Sequence, residues 1–336
     1  MNEAFGADTE DSRRLLLVQA EAALTNALER YELQEKEIAF IQVSEHVTYR
    51  IEDETGKSYL LRIHPGSSDP GEINSEMLWL DHLAGRWEMV VPTGVANQDG
   101  SCVTEVEADR GSRFYVSVLH WVEGSHFEGS LSEGQIRQMG ILLAQMHRAA
   151  QAFQPAEGFS RPVWEAEAFE QEVGRLKKHY RSYLTADEFR LYEQAAGRIV
   201  DHMSEMDKNP GTYGMIHADF HEGNLVFRDG KPYPIDFGRC GFGYYAYDLA
   251  QAFIGLYPVQ RQQFLDGYES LLPLPSGPDR MRMLETFFIK ALIENQSYHA
   301  PHPWEAAELR ESKPYSVALI RHYLDSKPFL FGAIPV

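Results

Sequence analysis

Cysteine is nearly absent from this chain. The 336 residues hold two, Cys102 and Cys240, far apart and without a CxxC spacing. That excludes a disulfide framework and a zinc ribbon, and two reduced thiols suit a reducing cytoplasm. Long apolar runs are absent too: none approaches the roughly 20 residues that span a bilayer. The opening MNEAFGADTEDSRR is acidic where a signal peptide is basic and then apolar. A soluble, cytoplasmic protein with no membrane partner is the expectation. Positive charge is also short. Lys and Arg total 31 against 50 Asp and Glu, a formal net charge of −19. Nucleic-acid binding needs cationic side chains on the phosphates, so nucleic acid is not an expected partner. A cationic ligand would be drawn to such a field.

Apolar residues are present in ordinary measure, 43%, enough for a real core. Length alone suggests roughly two domains. The stretch from Ser12 to Tyr31 reads as a helix, with Ser12 as N-cap and Leu16, Ala20, Ala23, Ala27 and Tyr31 at helical spacing. The period then changes. IAFIQVSEHVTYRIEDETGKSYLLRIH reads as a strand hairpin or meander broken at Glu54-Thr55-Gly56. A loop from Pro65 to Gly71 precedes a helix from Glu72 with Met77, Leu80 and Leu83 as its stripe. Short strand signals follow at Val90-Val91, Cys102–Val106 and Phe114–Leu119. After His120-Trp121-Val122-Glu123-Gly124 the chain turns helical. SEGQIRQMGILLAQMHRAA is a strong helix whose Ser132 and Gln135 form a capping-box pattern. Helices are expected near 165–182, 186–207, 248–254, 258–271, 280–299 and 305–325. The fold class is therefore α+β: a strand-rich part over 1–118, a connector over 119–124 and a helical part over 125–336.

One stretch gathers unusual chemistry. IHADFHEGNLVFRDGKPYPIDFG, Ile216 to Gly238, holds His217, Asp219, His221, Asn224 and Asp236. In an extended strand the alternating His217, Asp219 and His221 would share one face, a metal-ligand pattern. A second arrangement follows from Asp229-Gly230, the signature of a two-residue hairpin turn. That turn pairs Arg228 with Lys231 and, moving outward, Asn224 with Ile235. Pro232 and Pro234 then fall on non-hydrogen-bonded positions, where a missing N–H costs nothing in this ladder. Asn224 and Asp236 arrive at the same open end, where two oxygen donors suit a hard cation such as Mg2+. Asp219 lies just before, within reach of a substrate hydroxyl near such a cation.

His217-x-Asp219-x-x-x-x-Asn224 followed by Asp236-Phe237-Gly238 resembles the catalytic loop and metal-binding DFG of protein-kinase-like phosphotransferases. The longer run IHADFHEGNLVF…PIDFGRCGFGYYAYDLA is more similar to the aminoglycoside phosphotransferase/choline kinase-like family. There a His follows two residues after the catalytic Asp, as His221 does, and a short segment leads to a helix-borne Asp, here Asp248. The WVEG connector and a helix ending in Met146-His147 also fit. The resemblance spans roughly Ile38 to Phe253, with its motifs clustered at 217–248. It implies a two-lobed kinase-like fold: a small antiparallel sheet with a helix as nucleotide-binding lobe, a hinge, and a larger helical lobe with the catalytic loop and acceptor site. It implies ATP or GTP and Mg2+ as cofactors and a hydroxyl of a small molecule as acceptor. Asp219 would accept or orient the hydroxyl proton. Asn224 and Asp236 would hold the magnesium, His217 and His221 would brace the loop, and Asp248 would stabilise the segment after DFG.

The chain also departs from the kinase pattern. Where a protein kinase places a strand lysine, the strand Tyr59–His64 offers Arg62, which can fork onto phosphate oxygens. Arg50 is its rival. Glu76 is the expected ion-pair partner of Arg62, with Glu72 as fallback. No glycine occurs between Lys36 and Ile51, so Val43-Ser44-Glu45-His46 would have to cover the phosphates through backbone N–H groups and Ser44. No Ser or Thr occurs from Tyr213 to Glu269, which excludes an activation loop switched by Ser/Thr phosphorylation. Other readings are a protein Ser/Thr kinase of the stress response kinase A type, a metal-dependent hydrolase, or a nucleotide-binding protein without catalysis. Tyr244, Tyr245, Glu294, Tyr298 and Trp304 are candidate acceptor contacts.

Overall fold

The computed structural model of the chain describes residues 10–44, 46–86, 89–108 and 111–334. It divides into two compact units. The first comprises Met1–Glu123 together with Gln154–Arg161, a segment the sequence leaves with the helical part. The second comprises Gly124–Phe153 and Pro162–Val336.

In the first unit, helix α1 (Glu10–Leu28) precedes strands β1 (Glu35–Val43), β2 (Val47–Asp53) and β3 (Ser58–Pro65). Helix α2 (Pro70–Ala84), β4 (Val103–Ala108) and β5 (Ser112–His120) follow. The strands form one antiparallel sheet in the order β1-β2-β3-β5-β4. The stripe read from the sequence on α1, Leu16, Ala20, Ala23 and Ala27, is buried with Ile51, Leu61, Ile63, Val116 and Val118 of the sheet. The small alanines let the helix backbone approach the strands closely. Helix α1 begins at Glu10, so Ser12 lies inside its first turn rather than at the cap. Helix α2 also starts earlier than expected, at Pro70. Asp69 is its N-cap, accepting from the Gly71 N–H at 2.8 Å, and a proline in the first turn has no N–H to lose there. Val90-Val91 is not a strand. Pairing with β5 comes later, where the His120 N–H reaches the Thr93 carbonyl and the Val95 N–H that of Val118, both at 2.8 Å. The connector expected over 119–124 begins while the chain is still in β5, which runs to His120.

In the second unit, α3 (Glu133–Gln151) carries the expected capping box. The Ser132 N–H donates to Gln135 Oε1 at 2.9 Å, and Gln135 N–H to Ser132 Oγ at 3.3 Å. Next come β6 (Val163–Trp164), α4 (Ala166–His179), α5 (Ala186–Glu205), β7 (Tyr213–Ile216), β8 (Leu225–Arg228), β9 (Lys231–Pro234) and β10 (Gly241–Tyr244). Four helices close the unit: α6 (Tyr245–Ile254), α7 (Pro258–Glu269), α8 (Pro278–His299) and α9 (Ala306–Leu324). The sheet β6-β10-β7 was not anticipated, because its strands are two to four residues long. Gly241 makes it possible: a Cβ there would lie 2.2 Å from the Pro162 carbonyl oxygen. Among the described residues no helix is long and apolar enough to cross a membrane.

Candidate active site

The β8–β9 hairpin has the register its Asp-Gly turn dictates. Arg228 pairs with Lys231, Phe227 with Pro232, Val226 with Tyr233 and Leu225 with Pro234. Asp229 (φ 53°) and Gly230 (φ 75°) are both left-handed, as a tight hairpin turn requires. Phe227, opposite Pro232, turns its N–H and carbonyl outward to Ser125, at 2.8 and 3.1 Å. At the open end the Ile235 N–H donates to the Asn224 carbonyl at 2.9 Å. Asp236 is the next residue, so Asn224 and Asp236 are neighbours across the ladder.

Asp219 hangs on the loop between β7 and the short 3-10 turn Glu222–Asn224. The Asn224 side-chain amide donates to both the Asp219 carbonyl and its Oδ2, each at 2.9 Å. This fixes the carboxylate and leaves Asn224 Oδ1 without a protein partner among the described residues. His221 Nε2 stands 3.7 Å from Asp219 Oδ2. Burial alone would raise the Asp219 pKa. His221, and the positive charge of Arg239 after it, outweigh burial and hold the pKa down at about 2. His221 responds in the opposite sense: its contact with Asp219 raises its pKa against the effect of burial. The other His221 nitrogen accepts from the Gly223 N–H at 3.1 Å and so caps the 3-10 turn.

His217 is fully buried. Its Nε2 donates to the Ile235 carbonyl at 3.0 Å, and its ring lies 4.5 Å from that of Phe237. It therefore ties the loop to the strand end that carries Asp236. The metal-cage arrangement is not formed. Among the described residues no three His, Cys, Asp or Glu side chains gather as a metal group. Asp236 is exposed, with φ 59° and no protein partner for its carboxylate among the described residues. The Asp236 carboxylate and Asn224 Oδ1 thus belong to the same end of the hairpin, and neither has a protein partner among the described residues. They fit a hard cation that completes its shell with water and phosphate.

Asp248 stands behind the loop. Its carboxylate accepts from the N–H groups of His217 (2.8 Å) and Ala218 (2.7 Å), just before the candidate base. Ala218 has φ 63°, a conformation that costs a side-chain-bearing residue about 1–2 kcal/mol. His147 on α3 bonds Asp248 Oδ2 through Nε2 at 3.0 Å and the Tyr268 hydroxyl through Nδ1 at 2.8 Å. As a brace, His147 went unassigned in the sequence. Its signal was a polar residue on the buried stripe that Ile136, Met139 and Leu143 mark on α3.

In the first unit, Arg62 and Glu76 meet as expected. Arg62 Nη1 lies 2.9 Å from Glu76 Oε1, both side chains being buried. Burial alone would raise the Glu76 pKa, and Arg62, then Arg161, pull it below the usual value. Nε and Nη2 of Arg62 are buried without a protein hydrogen-bond partner among the described residues. Unspent forked donors beside a fixed carboxylate suit phosphate oxygens. Arg50 is engaged elsewhere, donating to Ser58 Oγ at 2.9 Å and lying over the Trp121 ring. Glu72 contributes through its backbone carbonyl, not its carboxylate. Ser44 is exposed in the β1–β2 turn, but its N–H is taken by the His46 carbonyl at 3.0 Å and is not available to a phosphate. Glu45 lies outside the described residues. His46 packs edge-on against His64, and burial foremost lowers its pKa to about 3.

Of the acceptor candidates, Tyr244 donates to backbone carbonyls of Met203 and Met206, and Tyr245 stacks on His147; both belong to the core. Glu294 pairs with Lys290 at 2.7 Å. Tyr298 lies against Arg175, and Trp304 is exposed and stacks on His302.

An antiparallel five-stranded sheet with a buried Arg–Glu pair, and a helical unit with an Asp–Asn loop and a DFG hairpin end, define a protein-kinase-like phosphotransferase fold. Residues 38–284 match the sequence model of the phosphotransferase enzyme family, and the chain belongs to that family. Amicoumacin kinase of Bacillus subtilis (strain 168) is 26% identical over 234 residues, 68% of this chain and 66% of that protein. The chain thus spans just under two thirds of that relative's length. Among solved structures, a microcompartment-associated aminopropanol kinase is 26% identical with a TM-score of 0.76, covering 90% of this chain and 97% of the other. An amicoumacin kinase solved with AMP-PNP and Ca2+ is 19% identical with a TM-score of 0.75, covering 94% and 96%.

Proposed function

We propose that this protein transfers the γ-phosphoryl group of ATP to a hydroxyl of a small molecule, with Asp219 as the catalytic carboxylate. The observation that carries the reading is the Asp219–Asn224 pair: a carboxylate fixed by an amide whose own oxygen, with that of Asp236, is left for a cation. Asn224 and Asp236 would hold Mg2+, which when bound neutralises charge on the nucleotide phosphates. Arg62, fixed by Glu76, would donate to phosphate oxygens from the first unit. GTP is the alternative donor. The low pKa of Asp219 defines its role. Full proton transfer from an alcohol about as weakly acidic as water (pKa ~15.7) would cost roughly 18 kcal/mol before any bond to phosphorus forms. Asp219 therefore accepts a hydrogen bond from the acceptor hydroxyl and aims its oxygen in line. The proton passes to the carboxylate as the new O–P bond forms and the bond from the γ-phosphorus to the bridging oxygen breaks, with ADP leaving.

For the acceptor, we infer an amino alcohol or a related cationic hydroxyl compound. The net charge of −19 and the likeness to an aminopropanol kinase over nine tenths of the chain support that class. A cytoplasmic setting is in keeping with a chain that has just two cysteines, Cys102 and Cys240, far apart and without a CxxC spacing. The test is a nucleotide-release assay with Mg-ATP over amino alcohols, aminoglycosides and other hydroxylated antibiotics. Asp219→Asn should lower kcat on the accepted compound by about a thousandfold, within the span of general-base losses, and leave nucleotide affinity intact. Unchanged turnover in that variant would sink the assignment.

A further inference from the structure

We infer that Arg161 is a positioning residue for the nucleotide: with Arg62 it grips Glu76 from two sides, and this double grip aims Arg62 at the phosphates. The inference rests on the phosphotransferase reading above. It starts from Gln154–Arg161, which lies between α3 and β6 in the chain yet belongs to the first unit. The segment is fastened to α2 next to Glu76. The Ser160 N–H donates to Ser75 Oγ at 3.0 Å, and that buried hydroxyl donates onward to the Gly71 carbonyl at 2.7 Å. Arg161 is itself buried. Its Nη1 donates to the Glu72 carbonyl at 3.1 Å and lies 3.9 Å from Glu76 Oε2. Glu76 Oε1 faces Arg62 at 2.9 Å. Each oxygen of one buried carboxylate thus faces a different guanidinium.

The arrangement solves a physical problem. A buried ion pair recovers its desolvation cost only with good geometry and further partners. Arg62 has one nitrogen on Glu76 and two without protein partners among the described residues. Its direction is therefore set by the carboxylate, and the carboxylate is set by whatever holds its other oxygen. Arg161 does that from a strap hydrogen-bonded to the same helix. An oriented guanidinium spends less entropy when it meets a phosphate.

The experiment measures binding of a fluorescent ATP analogue with Mg2+ to the full chain, in a cycle of R161A, R62A and the double variant. R161A should weaken binding about tenfold, and in the R62A background it should add less than about twofold, because residues in one network couple. S75A, which loosens the strap and alters no charge, should follow the same pattern with a smaller loss. If R161A does not fold, R161K takes its place in the cycle, with a partial loss expected that again vanishes in R62A. Unchanged binding in R161A overturns the inference. So does a loss of equal size with and without Arg62, which would put Arg161 on the nucleotide itself. If the wild-type chain binds no ATP analogue, the phosphotransferase reading falls, and the inference with it. If it binds and the cycle shows no coupling, the inference alone falls.

Discussion

The two polar clusters are held by opposite means. In the first unit the charged groups themselves are buried and sit on regular structure, Arg62 on a central strand and Glu76 on a helix. In the second unit the groups offered for chemistry are half-buried or exposed and hang on irregular backbone, with Ala218 and Asp236 both at positive φ. There the buried charge, Asp248, faces no reacting group. It spends its oxygens on two backbone N–H groups and a histidine. A cluster that only has to present a fixed charge can be built from side-chain pairing. A loop that has to present a base and two metal oxygens at chosen angles adopts a costly backbone, and that cost is met by a carboxylate behind it.

Removing that carboxylate should have the largest effect of the comparison. Asp248→Ala leaves two buried N–H groups and the Nε2 of His147 unpartnered and releases Ala218 from its left-handed conformation. We expect a stability loss of about 3–5 kcal/mol by denaturant melting, on the scale of broken buried pairs. In whatever fraction folds, kcat should fall more than a hundredfold with little change in nucleotide affinity. A variant that melts and turns over like the parent would end the claim that the second cluster is braced from behind.

Glu76→Gln should act the other way round. The side chain keeps its shape, but Arg62 and Arg161 lose the charge between them. Stability should drop by a comparable 3–5 kcal/mol, while the kinetic loss appears in the KM for ATP and not in kcat. If kcat carried the loss, the first cluster would be doing more than holding a phosphate contact.

How much of this was legible in the sequence follows the same division. Regular structure left its period in the chain: the α1 stripe, the capping box at Ser132 and the register forced by Asp229-Gly230 were all readable. The Arg62–Glu76 pair was readable through the resemblance to kinases, where a strand cation meets a helix carboxylate. Asp248 could be singled out as a brace, but the N–H groups it holds could not be named, since a carboxylate bonding backbone thirty residues away leaves no local pattern. Arg161 was missed for a related reason: its segment crosses into the first unit from late in the chain, and nothing in QPAEGFSR announces that. Ser44 was assigned by elimination, and the β1–β2 turn had already used its N–H.

The smallest expected effect separates the two clusters by pH. His221 is the one titrating partner of Asp219 at its surface side, and Asp219 raises its pKa above the ordinary 6.5. Charge on His221 therefore adds stability in full below pH 6.5, and this is lost as pH rises through the raised value. The Asp219 contribution has the opposite sense: present above its ordinary 3.8, lost as pH falls toward about 2. The pair is complete only between those limits. An NMR titration of the His221 ring should place its midpoint above that of an exposed histidine. Asp219→Asn should lower the midpoint, because burial is then opposed only by the weaker pull of Asp236 and Glu222. The stability change should be slight, since half-exposed charges are screened by solvent. The first cluster should show no transition at the His221 midpoint, because Arg62 and then Arg161 outweigh burial and hold the Glu76 pKa below its usual value. A His221 midpoint unmoved by Asp219→Asn would mean that the 3.7 Å approach is not an electrostatic contact, and that Asp219 takes its low pKa from Arg239 instead.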